Sequence, residues 1–235
     1  VGLGVIPSRM EAGYPIGYFY GYQTNGIYQN QSEIDALDAL AFDADGKEIE
    51  YHKGAKVGDL KFVDMDGNGF ISDEDKTYLG DPIPDFTMGF NLGFNYKDFD
   101  FSTSAYASIG NDMVRDYERQ AAGVNKGTYV YDRWRGEGTS VTVPRASDGS
   151  SINYMNFSDF FVEDASYLRI QNVQVGYTAS KGLTSRLGME SLRMYVSVNN
   201  LFTFTNYYGF DPSASGGSPI GAGIDKGYYP VSRSF

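Results

Sequence analysis

Residues 64 to 75 read Asp-Met-Asp-Gly-Asn-Gly-Phe-Ile-Ser-Asp-Glu-Asp, with side-chain oxygens at every second position from the start. Asp64, Asp66 and Asn68 converge on one hard cation if the chain turns sharply, and Gly69 supplies the backbone freedom for that turn. The order D-x-D-x-N-G follows a calcium-loop pattern through its sixth position. The Phe70 carbonyl adds an oxygen, Ser72 contributes through water, and Asp75 closes the set where a longer Glu is usual. The expected cofactor is a structural Ca2+ that braces a loop rather than reacting. The competing reading is a solvated Asx/Gly turn that carries acidic residues for solubility. Ser72 is also placed to cap a short helix expected over 73–79, with Asp73, Glu74 and Asp75 in its favourable first turn.

No catalytic residues emerge. His52 is the single histidine, so any Ser-His-Asp triad would have to use it. Nothing around Tyr51-His52-Lys53 resembles a nucleophile elbow, and an exposed loop histidine is expected there. The glycines from Gly216-Gly217 to Gly223 lack the Lys-Ser or Lys-Thr that a phosphate loop requires. Carboxylates are plentiful, but none sits in a context that raises its pKa, and no enzymatic activity is expected. Trp134, the single tryptophan, lies beside Arg133 and Arg135, where packing is the commoner use and stacking on a sugar the alternative.

The elements around this loop are strands. From 86 to 96 every even residue is large and apolar (Phe86, Met88, Phe90, Leu92, Phe94, Tyr96), and every odd one is small or polar. That period of two gives a strand with one apolar and one polar face. Lys97-Asp98 allows a two-residue turn, with Asp98 expected to take the positive φ. Folding there pairs Tyr96 with Phe99, Phe94 with Phe101, Leu92 with Thr103 and so on to Phe86 with Ile109. The other face pairs Asn95 with Asp100 and Asn91 with Ser104. A hairpin of about ten residues per arm, apolar outside and polar inside, suits a transmembrane β-barrel wall. Phe86, Met88, Phe90, Leu92, Phe94, Tyr96, Phe99 and Phe101 are the expected lipid-facing residues.

Further strands are expected over Pro15 to Tyr28, roughly Tyr167 to Thr178, Ser191 to Asn199, and from near Pro230 onward. Arg193 falls on a polar face. A helical turn is expected within 180–188. Long connections (29–83, 110–160, 206–228) alternate with the turns at 97–98 and 179–190, the asymmetry of an outer-membrane barrel with long extracellular loops. The fold class expected is therefore all-β, an antiparallel transmembrane β-barrel.

Bulk properties agree. The 235 residues include 29 Gly, 20 Tyr and 16 Phe, and carry a net charge of −11. An acidic chain without a basic cluster is a poor partner for nucleic acid. The absence of Cys removes disulfides and thiol chemistry. No apolar run is long enough for a transmembrane helix. Mean hydropathy is −0.37, which a barrel tolerates because only alternate residues meet lipid. No signal peptide opens the chain and Val1 is an unusual start for an exported protein, so the sequence reads as a piece of a longer one.

Several collinear segments resemble SusC/RagA-type TonB-dependent transporters. They are Glu11 to Tyr22 (EAGYPIGYFYGY) continuing to Gly26-Ile27-Tyr28-Gln29, Gly58 to Phe62 (GDLKF) leading into the acidic loop, and Leu79 to Phe86 (LGDPIPDF). Val162 to Arg169 (VEDASYLR), Asn172-Val173, Gly176-Tyr177, Asn199-Asn200-Leu201-Phe202 and Tyr229-Pro230 continue the likeness. The acidic loop itself resembles dockerin-type loops, in which a tighter turn lets a short carboxylate reach the cation.

The family resemblance implies that 1–235 is a C-terminal arc, about five or six strands, of a barrel of roughly 22 strands. It implies an outer-membrane location in a Gram-negative bacterium and contact with outer-membrane lipid. It implies import of glycan fragments or peptides with a SusD-like surface lipoprotein, powered by the TonB complex through an N-terminal plug portion that these residues lack. The substrate-binding residues are not identified. The alternatives are a passive porin-type barrel and a soluble calcium-binding β-domain or carbohydrate-binding module. The family usually ends on one further strand with a terminal aromatic residue, and Phe235 is not expected to be that residue.

Overall fold

The computed structural model describes residues 6–117, 126–147, 151–214 and 216–235. Val1, residues 118–125 and 148–150 of the expected loop 110–160, and residue 215 of the expected loop 206–228 lie outside the described residues. In chain order the strands are β1 (Ser8–Arg9), β2 (Tyr18–Tyr22), β3 (Thr24–Ile27), β4 (Leu60–Phe62), β5 (Lys76–Gly80) and β6 (Phe86–Tyr96). They continue as β7 (Phe99–Ile109), β8 (Asp112–Arg115), β9 (Val162–Asp164), β10 (Tyr167–Thr178), β11 (Arg193–Thr205) and β12 (Ile224–Asp225). The α-helices are short: α1 (Gln31–Asp38), α2 (Ile152–Met155) and α3 (Lys181–Arg186). The chain divides into two compact units, one of Val1–Pro82, Met113–Glu163 and Ser215–Gly227, the other of Ile83–Asp112, Asp164–Ala214 and Tyr228–Phe235.

The second unit is built on a 4-stranded antiparallel sheet in the order β11-β10-β7-β6. The hairpin β6–β7 has the register that its alternation predicts, from Tyr96↔Phe99 through Phe94↔Phe101 to Phe86↔Ile109. The turn differs in one respect: Lys97, at φ 55°, takes the left-handed conformation instead of Asp98. The turn needs φ > 0 at its first central position, and the paired ladder behind it imposes that on a lysine at a cost of roughly 1–2 kcal/mol.

β11 extends to Thr205, well past the expected end at Asn199. An irregularity explains the difference. Between Asn172 and Ile170 on β10, the partners on β11 jump from Asn199 to Phe202, and Asn200 sits at φ 52°. The bulge flips the apolar parity on β10 from odd to even, while on β11 Asn199-Asn200 interrupt an alternation that resumes at Phe202, so a reading of strict period two stops there. The strand expected from Pro230 contributes a single bridge, Asn199↔Ser234, among the described residues. α3 supplies the expected helical turn.

The first unit holds small sheets, β1-β2-β5, β12-β8-β9 and β3-β4. The strand expected over Pro15 to Tyr28 is two strands here, and neither belongs to a one-sided wall. Tyr18, Phe19 and Tyr22 are all buried, so β2 is covered on both faces. Aromatics at consecutive positions of a strand demand burial of both faces, which a lipid wall with a polar lumen side does not provide. Gly21 is required because the Phe157 backbone passes where its Cβ would be, with Tyr22 N–H donating to the Phe157 carbonyl at 2.9 Å.

One core cluster gathers Phe19, Val114, Phe157, Phe161 and Ile224. Another gathers Tyr22, Ile27, Leu60 and Phe62, with Trp134 packed against it in the structural role expected of it. The helix expected over 73–79 shrinks to one 3-10 turn, Asp73–Asp75. Lys76, Thr77 and Tyr78 instead pair with Tyr22, Gly21 and Tyr20, since β-forming residues beside an open strand edge gain more from the ladder.

Candidate functional site

In the 4-stranded sheet, register assigns each residue to a face. One face carries the even residues of β6, Phe99 and Phe101 of β7, Val173, Val175 and Tyr177 of β10, and Met194, Val196 and Val198 of β11. Beyond the bulge the same face continues with Leu168 and Ile170 paired to Phe204 and Phe202. The opposite face carries Asn91, Asn95, Ser102, Ser104, Gln174, Ser197 and their neighbours. Arg193 and Asp100 pair at 2.6 Å on this polar side, as its placement predicts. The apolar residues stay about half exposed: Phe90 52%, Phe94 56%, Val196 69%, Phe204 57%. A contiguous apolar face of that extent is an interaction surface, because a monomer in water rarely leaves one uncovered.

In the acidic loop, one ligand atom from each of Asp64, Asp66 and Asp75 lies within 4.8 Å of the others. Asp75 is fully buried, and its two carboxylate oxygens accept from Met65 N–H and Ser72 N–H, each at 2.7 Å. Asp64 accepts from Gly67 N–H (2.7 Å) and Gly69 N–H (2.8 Å). No ammonium or guanidinium pairs with these three carboxylates among the described residues; the nearby Lys76 engages Asp73 instead, at 2.7 Å. That ion pair, with the Tyr22 hydroxyl at 3.2 Å, holds Asp73 below its usual pKa.

The other expected ligands are engaged differently. Asn68 donates to Asp66 at 2.9 Å and accepts from Phe70 N–H, while Ser72 Oγ accepts from Glu74 N–H as a helix cap. Three carboxylates gathered without a cationic side chain, among neutral oxygen donors, fit a hard divalent cation of calcium size.

Sequence reading missed two buried charge centres. Asp59 is 1% exposed and accepts from Arg145 Nε (2.7 Å), Asn153 Nδ2 (2.8 Å) and Lys56 N–H (3.0 Å). Asn153 in turn accepts from Leu60 N–H at 2.7 Å. Gly58 must be glycine: its φ is +87°, and a Cβ would strike the Trp134 ring and Arg145. In the other unit Arg169 donates to Asp211 (2.6 Å), Ser213 (3.0 Å) and Thr203 (2.9 Å). Burial alone would raise the Asp211 pKa, but hydrogen bonds from Ser213, Val231 N–H and Arg169 outweigh it and lower the value.

His52, expected to be exposed, is 5% exposed, packed at 4.7 Å from the Phe62 ring with Tyr28 hydroxyl 3.5 Å from Nδ1. The flanking residues, a partly buried Tyr51 and an exposed Lys53, hide that burial from a local reading.

No family model matches the chain. Its sequence is 34% identical over 234 residues to TonB-dependent receptor P3 of Formosa agariphila, a match covering 96% of this chain and 22% of that protein. It is 31% identical over 216 residues to TonB-dependent receptor SusC of Bacteroides thetaiotaomicron, covering 92% of this chain and 19% of that protein. A structure of the RagAB peptide transporter matches with a TM-score of 0.64 at 24% identity, over 99% of this chain and 23% of that one, a likeness of fold. The chain belongs to the SusC/RagA-type TonB-dependent transporters.

It spans about a fifth of the length of these curated relatives. The SusC/RagA-like motifs now have structural roles. In Val162 to Arg169, Ala165 is fully buried and donates its N–H to the Asn111 carbonyl at 2.9 Å. Ser166 Oγ accepts from Gly110 N–H at 3.0 Å, which clips the start of β10 to the end of β7. Arg169 is the buried guanidinium of the second charge centre. Asn199 and Asn200 lie at the bulge, and Asp59 of the Gly58 to Phe62 motif is the first charge centre.

Proposed function

We propose that this chain is part of the barrel wall, with its extracellular loops, of an outer-membrane TonB-dependent importer. The observation that carries this reading is the broad, largely half-exposed apolar face of the 4-stranded sheet, interrupted by Thr103 and opposed by a polar face. Its strands are 11 to 13 residues long, enough to cross the hydrocarbon region at a tilt. Phe86, Met88, Phe90, Leu92, Phe94, Tyr96, Phe99 and Phe101 meet lipid. The Lys97-Asp98 turn lies at the periplasmic rim, and the segments 29–83, 110–160 and 206–228 are extracellular. The arc belongs to the C-terminal part of a closed barrel of roughly 22 strands.

Family membership supports uptake of glycan fragments or peptides with a SusD-like lipoprotein as lid and TonB-derived energy. In this reading the plug and the TonB-contacting segment lie in other portions of the full-length importer. Arginine at Phe90 is expected to cost about 2–4 kcal/mol of barrel stability in bilayers, and arginine at the adjacent Asn91 well under half of that. Folding titrations into lipid vesicles measure both, and equal tolerance at the two positions would count against a membrane wall.

The same proposal gives the loop at 64–75 a structural Ca2+ held by Asp64, Asp66 and Asp75, with Asn68, Phe70 and Ser72 completing the oxygen set. Bound calcium would offset two of the three negative charges clustered there. Resistance of segment 55–85 to protease is therefore expected to rise in excess calcium and to fall with chelator. Identical cleavage patterns in both conditions would remove calcium from the proposal.

A further inference from the structure

Within the first unit, the loop from His52 to Asp59 borders a cavity of about 790 Å3. Its charged lining consists of Lys53, Lys56, Arg145, Asp59 and Asp73. Both carboxylates are already committed: Asp59 to Arg145 at 2.7 Å, and Asp73 to Lys76 at 2.7 Å. Lys53 and Lys56 are exposed, and no ion pair engages either ammonium among the described residues. The cavity thus presents an excess of positive charge in a chain whose net charge is −11. The Glu50 carboxylate, which accepts from Gly54 N–H at 2.7 Å, lies beside this lining without pairing either lysine, and a concave surface with net positive charge and low-dielectric walls concentrates its field on an anionic ligand.

The two lysines are mounted on a held backbone. Ala55 N–H donates to the His52 carbonyl (3.0 Å), Asp59 N–H donates to the Lys56 carbonyl (2.9 Å), and Lys56 N–H donates to the buried Asp59 carboxylate. The His52 ring anchors the loop on Phe62. Ser72, Ser151 and Asn156 add neutral polar groups, and Ile71 and Ile152 an apolar surface. A mostly pre-formed cleft of this volume with convergent polar groups is the ordinary form of a small-ligand site.

We propose that this cavity binds a short carboxylate-bearing oligomer, with Lys53 and Lys56 as the recognition groups. The inference rests on the import reading only in treating that oligomer as cargo. Carboxylates arrive on acidic oligosaccharides and on acidic peptides alike, so the test carries both.

The test is titration calorimetry of the intact protein in detergent with trigalacturonate, triglutamate and the neutral maltotriose. At least one anion is expected to bind about tenfold or more tightly than maltotriose at low ionic strength, with the gap narrowing as salt rises. The anion that binds identifies the source. The double variant Lys53→Ala/Lys56→Ala is expected to lose the preference, and Lys53→Arg/Lys56→Arg to keep it. Failure of both anions to outbind maltotriose overturns the proposal, as does a salt-independent preference in the unmodified protein. Retention of the preference by the alanine pair overturns it too. Oligomer uptake by cells carrying the intact protein reads the import proposal separately, since import of maltotriose but neither anion would leave that proposal standing and sink this one.

Discussion

Asp59→Ala is expected to destabilise the first unit by about 3–5 kcal/mol, the usual consequence of removing one member of a buried, hydrogen-bonded charge pair. The carboxylate is 1% exposed and collects Arg145, Asn153 and the Lys56 N–H. Without it, the buried Asn153 amide loses its partner with no water to replace it, and the Arg145 guanidinium, 28% exposed where it lines the cavity, is left to solvent. The damage extends beyond the pair, because Asn153 uses its other atom to hold Leu60 N–H, and Arg145 N–H bonds the Gly58 carbonyl at 2.7 Å.

Hydrogen exchange at the Leu60 and Arg145 amides reads the effect directly. Exchange is expected to accelerate by roughly 10²- to 10⁴-fold, the open-state population that such a loss implies. Asp59→Asn, which keeps an acceptor for Asn153 while losing the charge, should fall between the two. If the Leu60 amide in Asp59→Ala stays protected to within about tenfold, the centre is not what holds this region.

The second large effect is a pH dependence owed to His52. Burial lowers its pKa from 6.5 to about 4, because the ring is withdrawn from water with no carboxylate partner to favour its charged form. The folded state therefore holds His52 neutral where the unfolded chain begins to take up a proton. Between pH 6.5 and 4 the unfolded state binds more protons, so stability rises with pH across that window and is lost as the pH falls through it. The contribution is present in full above about pH 6.5 and gone below about pH 4. Its size is of order 3 kcal/mol, from the width of the window.

Thermal unfolding of the first unit from pH 7.5 to 4.5 should show this decline, and His52→Phe should flatten it whatever its effect on baseline stability. A decline of equal steepness in the phenylalanine variant would assign it to other groups. Asp211 is not a competitor in that window. Its pKa is lowered, so its contribution holds above the ordinary carboxylate range and fails only at more acidic pH.

Some of this architecture was written in local spacing. The hairpin β6–β7 pairs as its alternation requires, because a one-residue slip would move every phenylalanine to the polar face. The acidic loop gathers Asp64, Asp66 and Asp75 from within twelve residues, and Gly67 and Gly69, at φ 72° and 90°, bend the chain toward them. Both features rest on contacts between near neighbours, where residue type and spacing suffice.

What escaped the sequence was everything that depends on distant partners. Asp59 and Arg145 are separated by 86 positions, and Arg169 and Asp211 by 42, so neither reads as half of a pair. His52 looked exposed because its sequence neighbours are polar, yet Phe62 and Tyr28 close over it. The run from Tyr18 to Tyr22 looked like one more wall strand until β1 and β5 flanked it and the first unit's core covered it. The bulge at Asn172 and Asn200 is the clearest case. Period-two logic loses Leu168 and Ile170 at that point, because the apolar positions of β10 change from odd to even, and only pairing with Phe204 and Phe202 returns them to the apolar face. The sequence by itself determined a two-faced wall and an oxygen-rich loop, since short-range periodicity and turn chemistry dictate both. Tertiary structure alone decided which charges are buried, which histidine is silent and where the wall continues, since those depend on which distant segments exclude water from one another.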